Sequence, residues 1–322
     1  MTFIACSAPG KLFLGGEYAV LNGAQAVVTA VDRRVRAVTS DQREHQSPIL
    51  KVVSEHVARF LENECAKSIS LPPIQARSHS FQIGGQKIGL GSSAAVSAAA
   101  TGLLFELVGL SVEDNRRNIL EQAIVAHTAA QGGRGSGADV AAAVQGGTLI
   151  FSMDGTVERV YLDTVHLVPV WSGKSASTRE LIKKIDAFRD SDRSGHRDCF
   201  DELEKQAAQL AEAFRQKDPL KIIDATKLYG KSMDRLGRAS GAPIVTKKHA
   251  LVANLASSLG GSAKPSGAGG GDAAVAVFND REAAAQFRTV CLRYELIPLE
   301  LTTDAPGLCR EDDHAQDITS VF

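Results

Sequence analysis

The chain carries no excess of charge of either sign. Its 36 lysines and arginines nearly balance 37 aspartates and glutamates, for a formal net charge of −1. A nucleic-acid-binding protein usually shows a basic excess or stripe, so that class is set aside. Long apolar runs are missing too. The nearest candidate, residues 94–110, is interrupted by Ser97, Thr101 and Glu106 and falls short of the roughly 18 apolar residues a membrane span needs. Cysteine is sparse and scattered: Cys6, Cys65, Cys199, Cys291 and Cys309 are odd in number and hold no CxxC spacing, which argues against a disulfide framework and a zinc site. The opening "MTFIACSAPGKLFLGG" lacks a basic segment followed by an unbroken apolar one, so no secretory signal is expected. No internal repeat or low-complexity linker stands out. The expectation is a cytoplasmic protein, monomer or homodimer, with neither membrane nor nucleic acid as partner.

What is present is ordinary enzyme composition over 322 residues, 44% hydrophobic and 23% charged. That length exceeds what one core usually serves, so two domains or one large α/β domain is expected. Valine-rich, period-two patterning in "AVVTAVDRRVRAVT" predicts strands. An extended segment and an amphipathic helix follow through residue 68, with a loop at "SLPPIQARS". A helix starts after Gly91. A second opens at Ser111, with Glu113 and Asp114 in its first turn. "DVAAAVQGG" reads as a short helix ending in glycine, and "TLIFSM" with "VERVYL" as a hairpin across Asp154-Gly155. Near residue 165 the character changes to a strand "HLVPVWS" and long charged helices over about 177–236. That change sets the expected boundary between domains 1–165 and 166–322. A glycine cluster is placed between helix and the strand "AAVAVF", and the polar end "REDDHAQDITSVF" is expected to fray.

Three glycine clusters raise the functional question. In "KIGLGSSAAVSAAA" the glycines let backbone N–H groups converge, Ser92 or Ser93 can cap the helix, and a helix N-terminus with unpaired donors holds an anion well. A plain turn into a helix is the competing reading. Gly89, Gly91 and Ala94 also fit a dinucleotide fingerprint, but that reading needs a strand leading in and an acidic residue about 20 positions on. "SFQIGGQKI" is broken by glycine and Glu106 lies within a helix, so it is disfavoured. A P-loop fails, because Val168 and Ala225 stand where the first glycine belongs before Gly173-Lys174-Ser175 and Gly230-Lys231-Ser232. The other clusters are "APGKLFLGGEYAVLNG", which places Lys11 after a Pro-Gly turn, and "SAKPSGAGGGDAAVAV", with four glycines in five positions before a strand. Backbone there is expected to approach something closely.

In order and spacing, "PGKLFLGGEYAVL", "GLGSSAAVSAA" and "KPSGAGGGD" resemble the three motifs of the GHMP superfamily of small-molecule kinases, over most of the chain. The resemblance implies an α+β protein of two domains, a ribosomal-protein-S5-like N-terminal domain and a ferredoxin-like C-terminal one, with ATP bound between them. It assigns Gly89, Leu90, Gly91, Ser92, Ser93 and Ala94 to the ATP phosphates, and Ser93 to a Mg²⁺ ion. Further stretches, "GKLFLGGEYAVL", "AHTAAQGGRGSGADVAAAVQGG", "WSGKSAST" and "GRASGAPIVT", resemble the bacterial phosphomevalonate kinase branch, which implies phosphomevalonate as the small-molecule acceptor. Tyr18, Ser136, Gly137, Ser175, Ser177, Ser266, Gly267, Ala268, Gly269 and Gly270 are then expected on the acceptor side. Mevalonate kinases carry a magnesium-binding glutamate near the position of His127; its absence here disfavours that branch and leaves the magnesium shell partly unassigned.

Phosphoryl transfer needs positioning and charge neutralisation more than covalent help. A phosphate acceptor needs no base, because its second pKa is about 6; its difficulty is repulsion between two polyanions. Lys11 and Lys87 are the expected cations, and Asp139, which resembles the family's catalytic aspartate, is expected to orient Lys11 and the acceptor or help hold Mg²⁺. Duller readings stand beside these. Lysines are usually solvated, Asp139 suits a helix N-terminus, Tyr18 suits a half-buried position, and His127 suits an ordinary helix histidine. A charged loop opening a helix accounts for Lys174, Ser175 and Ser177. A catalytically inactive ligand sensor on the same fold is the rival of a different class.

Overall fold

The structure is a computed structural model and describes residues 4–41, 47–66, 68, 70–133 and 135–311. Strand β1 (Ala5–Gly15) pairs antiparallel with the 14-residue β2 (Ala26–Thr39). Pro9 and Gly10 do not form the expected turn. They lie inside β1 at a register shift against β2, and the irregularity brings the Lys11 N–H to the Leu90 carbonyl at 2.9 Å. Gly10 is required there, since a Cβ would stand 2.7 Å from the Leu90 oxygen. Helix α1 (Pro48–Cys65) starts on proline at its first turn and buries Leu50, Val53, Val57 and Leu61, spaced three and four apart.

The loop expected at "SLPPIQARS" contains β3 (Ile74–Arg77), which pairs with β2; two prolines before it masked a strand that only its partner stabilises. β4 (Gln82–Ile83) and β5 (Gln86–Lys87) form a small hairpin across Gly84-Gly85, so no parallel strand leads into the glycine turn. Helix α2 (Ser92–Leu107) is buried all round from Ala94 to Glu106. Its alanines allow this, because it packs against both first strands and against α1, α3 (Arg116–Ala130) and α4 (Ala138–Gln145). α3 begins one turn later than expected: Ser111 accepts from the Asp114 N–H and closes a turn of its own. The expected hairpin is β6 (Thr148–Phe151) with β7 (Val157–Val160). The first sheet runs β7-β6-β2-β1, with β3 also on β2.

After Val160 the chain enters β8 (His166–Trp171), then the helices α5 (Thr178–Ser191), α6 (Arg193–Arg215), α7 (Pro219–Ser240) and α8 (Lys247–Ser258). β9 (Ser262–Pro265) was not foreseen. It places the third glycine cluster between two antiparallel strands, β9 and β10 (Ala273–Phe278), rather than between helix and strand. α9 (Arg281–Arg293) and β11 (Ile297–Pro298) complete a second sheet in the order β11-β8-β10-β9. Alternation along β10 decides its packing. Ala274, Ala276 and Phe278 face α8 and α9, whereas Val275 and Val277 join Leu210, Phe214 and Ile222 of α6 and α7 and Leu14, Val27 and Ile150 of the first sheet. α6 and α7 are thus clamped between the sheets.

The chain then returns. β12 (Cys309–Glu311) pairs with β1, so Arg310 and Glu311 of the polar end are part of the first sheet; residues 312–322 lie outside the described residues. Among the described residues, no helix is long and apolar enough to cross a membrane.

Candidate active site

Gly89, Leu90 and Gly91 form the turn that opens α2. Gly89 and Gly91 both have left-handed φ, +81° and +74°, which glycine adopts without steric cost. Gly91 is the cap position and no side chain caps the helix. Ser92 and Ser93 are therefore not caps, contrary to expectation, but the first helical residues. The N–H groups of that first turn receive no side-chain cap, while Leu90 and Ala94 are buried beneath it. Ser93 Oγ lies 3.1 Å from His127 Nε2 of α3. His127 is 5% exposed: it sits under the turn, touching the one serine that the family resemblance singles out.

Lys11 stands at the centre. It is buried, its Nζ donates to the Gly89 carbonyl at 3.2 Å, and its methylene chain lies against Gly91, where a Cβ would come within 2.9 Å of it. Burial pulls its ammonium below the usual lysine range, against the opposing pull of Asp139, Asp272 and Glu17. Asp139 sits in the first turn of α4, where its Oδ1 accepts from the Val140 N–H at 2.9 Å. Gly137 caps that helix with φ +85°, and Ser136 Oγ accepts from the Ala138 N–H at 3.3 Å. Lys87 is exposed at the end of the β4-β5 hairpin and bears electrostatically on Asp272.

The β9-β10 loop faces Lys11 from the second sheet. A Cβ on Gly267 (φ +95°) would be 3.9 Å from Lys11 Nζ. The other glycines approach protein rather than open space: a Cβ on Gly269 would meet the Ile244 carbonyl at 2.2 Å, and one on Gly271 the Lys174 carbonyl at 2.6 Å. Gly270 N donates to Ile244 O at 2.8 Å. Close approach was expected here, and for Gly269 and Gly271 the neighbour is the chain itself. Two hydroxyls expected on the acceptor side are also engaged. Tyr18 Oη donates to the Ala268 carbonyl, and Ser266 Oγ accepts from the Phe13 N–H at 2.9 Å.

Sequence reasoning missed what fastens this seam. Lys264 and Glu17 form an ion pair whose side chains are 0% and 2% exposed. Lys264 Nζ also donates to Pro265 O at 2.7 Å, and Glu17 Oε1 accepts from the Gly267 N–H at 3.3 Å. Burial pulls the Lys264 ammonium down and the Glu17 charge opposes that pull. Residues 13–18 of the first sheet are thereby stitched to 264–268 of the second.

The 173–177 loop closes the other side. Ser175 Oγ donates to the Lys87 carbonyl at 2.7 Å, and Ser177 caps α5 by accepting from the Glu180 N–H. Ser177 thus has the helix-opening role that was its duller reading. Asp272, also missed, joins this loop to the glycine turn.

The oxygen donors of Ser93 and Asp139 suit a hard cation. Among the described residues no group of three or more His, Cys, Asp or Glu side chains is placed to hold a metal ion. The donor set therefore fits Mg²⁺ held chiefly by substrate phosphates, with one or two protein ligands.

A glycine turn that presents a helix N-terminus beside a buried lysine is an arrangement suited to binding phosphate. Comparison with known proteins agrees. Residues 55–147 match the model of the GHMP kinases N terminal domain and residues 210–295 that of the GHMP kinases C terminal domain, together more than half of the chain. The chain belongs to the GHMP kinases and has their two-domain fold. It is 28% identical to the phosphomevalonate kinase of Streptomyces sp. (strain CL190), across 94% of this chain and 97% of that one. Among solved structures it resembles the Lin0012 protein from Listeria innocua, with a TM-score of 0.85 at 22% identity over 97% and 100% of the two chains. It also resembles the Streptococcus pneumoniae phosphomevalonate kinase in complex with phosphomevalonate and AMPPNP, with a TM-score of 0.78 at 20% identity over 93% and 99%.

Proposed function

We propose that this chain transfers the γ-phosphoryl group of ATP to 5-phosphomevalonate, giving 5-diphosphomevalonate and ADP. The observation that carries the reading is the placement of Lys11, buried at the Gly89 carbonyl and flanked by Gly91 and Gly267. The acceptor identity draws support from the similarity to the Streptomyces enzyme over nearly the whole length of both chains.

In this reading the 89–93 turn receives the triphosphate on N–H groups that carry no side-chain cap. A phosphate oxygen of the acceptor attacks the γ-phosphorus as the bond to the ADP oxygen breaks. The acceptor reaches the site largely as a dianion, so no residue has to remove a proton. Lys11 lies between donor and acceptor and offsets the charge that two polyanions bring together; Lys87 adds a second cation at the rim. Asp139 keeps the buried Lys11 protonated and oriented. Ser93, braced by His127, and Asp139 would hold Mg²⁺, which supplies further neutralisation of the phosphates. Of the residues expected on the acceptor side, Ser136, Gly137 and Gly267 remain as candidates for contact, while Ser175 serves by tying its loop to the Lys87 carbonyl. Tyr18 and Ser266 serve the reading by joining the two sheets, and Ser177 by capping α5. The division between the ATP-side and acceptor-side domains is placed between Val160 and His166, with β12 counted on the ATP side.

ADP release by the purified protein with ATP and Mg²⁺, offering phosphomevalonate and mevalonate separately, tests this. Turnover with phosphomevalonate alone is expected. Turnover with mevalonate alone would keep the family and overturn the phosphate-acceptor argument, making Asp139 a base. No turnover with either, in a chain that binds both ligands, would point to a sensor.

A further inference from the structure

Asp272 ends the glycine run of the β9-β10 loop, and its surroundings give it more to do than end a turn. Its φ is +55°, a region that glycine enters freely and other residues enter at a cost of about 1–3 kcal/mol. Four glycines precede it within five positions, yet this position keeps a carboxylate. The side chain lies directly on the phosphate turn: a Cβ on Gly89 would be 2.4 Å from the Asp272 Cβ and 3.1 Å from its Oδ2. From the other side Oδ1 accepts from the Ala176 N–H at 3.1 Å. The Asp272 N–H donates to Lys174 O at 2.7 Å, and its carbonyl accepts from the Ser172 N–H at 2.9 Å. Ser175 then closes a ring by donating to Lys87 O at 2.7 Å. Burial pushes the carboxyl above the usual aspartate range, and the Ala176 N–H, Lys11 and Lys87 pull it back.

We propose that Asp272 is a positioning residue for phosphoryl transfer: its carboxylate fastens the 173–177 loop to the phosphate turn and holds Lys11 and Lys87 on either side of that turn. The proposal rests on the reading of residues 89–93 as the nucleotide phosphate site. An anion beside a polyanion site is a cost for ground-state binding, because it repels the nucleotide. A carboxylate is worth having there only if its effect falls on the arrangement in which transfer occurs. That sets the signature. Asparagine tolerates left-handed φ and can still accept from Ala176, so Asp272→Asn removes the charge and little else.

The test measures binding of a non-hydrolysable ATP analogue, KM for both substrates, kcat and thermal midpoint for wild type and Asp272→Asn. Expected are a kcat lower by about tenfold or more and analogue affinity equal to wild type or tighter by up to about threefold, with an unchanged midpoint. Wild-type kcat would overturn the proposal. So would a kcat loss matched by an equal loss of analogue affinity and a lowered midpoint, since that pattern marks a merely structural residue. If the variant does not fold, Ser175→Ala carries the test, for it leaves Asp272 in place and removes only the hydroxyl link to Lys87. A kcat lower by about threefold or more at unchanged analogue affinity supports the latch, and wild-type kcat refutes it. Failure of the wild-type protein to bind the analogue would instead sink the nucleotide reading, and is seen before any variant is made.

Discussion

The buried pair of Glu17 and Lys264 offers the sharpest check on how the two sheets are held. Lys264→Met removes the ammonium and leaves the Glu17 carboxylate in a site 2% exposed. Glu17 Oε1 then retains the Gly267 N–H, while Oε2 already has no hydrogen-bond partner. Breaking a buried pair from one side costs about 3–5 kcal/mol, because the remaining charge stays uncompensated. Glu17→Gln costs less. Lys264 keeps the carbonyls of Pro265 at 2.7 Å and Phe13 at 3.5 Å and can shed its proton, a step its lowered pKa already favours. The double variant removes both charges and recovers most of the Lys264→Met loss. Lys264 Nζ also lies 5.6 Å from the centre of the Tyr229 ring, but that contact is lost in every Lys264→Met chain and cancels in the cycle. Urea denaturation of the four proteins is therefore expected to give a coupling of about 2 kcal/mol or more. Additivity, or a Lys264→Met loss below about 1 kcal/mol, would refute the claim that this pair is a dry fastener of the seam.

Lys11 has a depressed pKa and is faced by Asp139 from α4, Asp272 from the β9-β10 loop and Glu17 from the turn after β1. If protonated Lys11 is required, the alkaline limb of the rate profile falls below the usual lysine range, and Asp139→Asn, which removes the strongest opposing anion, moves it lower still; an unmoved limb rejects the pairing. Gly89→Ala combines left-handed strain of about 1–2 kcal/mol with the clash against Asp272 Cβ. Gly84→Ala in the β4-β5 hairpin, at φ +56° with nothing within 4 Å, carries strain alone. Only the first is expected to abolish ATP-analogue binding, as read by calorimetry. His249 is pulled by burial down to about 4. An imidazole held neutral contributes stability that is complete above its unfolded pKa of about 6.5 and is lost as pH falls toward 4, about 2 kcal/mol of it by pH 5. His249→Gln should flatten that part of the urea-measured stability profile.

The parts of the site that could be read in advance are those whose requirement is local. A glycine turn before an alanine-rich helix states its own geometry, so the turn and the helix start after Gly91 could be read from the sequence, even though Gly91, not a serine, caps the helix. Lys11 was legible from its motif, although Pro9-Gly10 misled: the pair has the chemistry of a turn, and only the neighbouring β2 makes it an irregularity within a strand. Illegible features depend on partners far along the chain. "SAKP" has little strand propensity, but its β10 partner makes it β9. Glu17 and Lys264 are 247 residues apart, and nothing near either one announces the other.

Asp272 is the instructive miss, because an acid after glycines looks like turn punctuation. What distinguishes it is the combination of a left-handed backbone, a neighbouring glycine with no room for a Cβ, and two lysines within its field. The same contacts explain why the glycine cluster is so dense. Gly269 and Gly271 bring the loop down onto Ile244 and Lys174, and that packing sets both Gly267 against Lys11 and Asp272 against Gly89. The glycines that resemble a ligand cradle in sequence act first on the protein itself. They hold the second sheet close enough to the 89–91 turn for the buried Lys11 to face both.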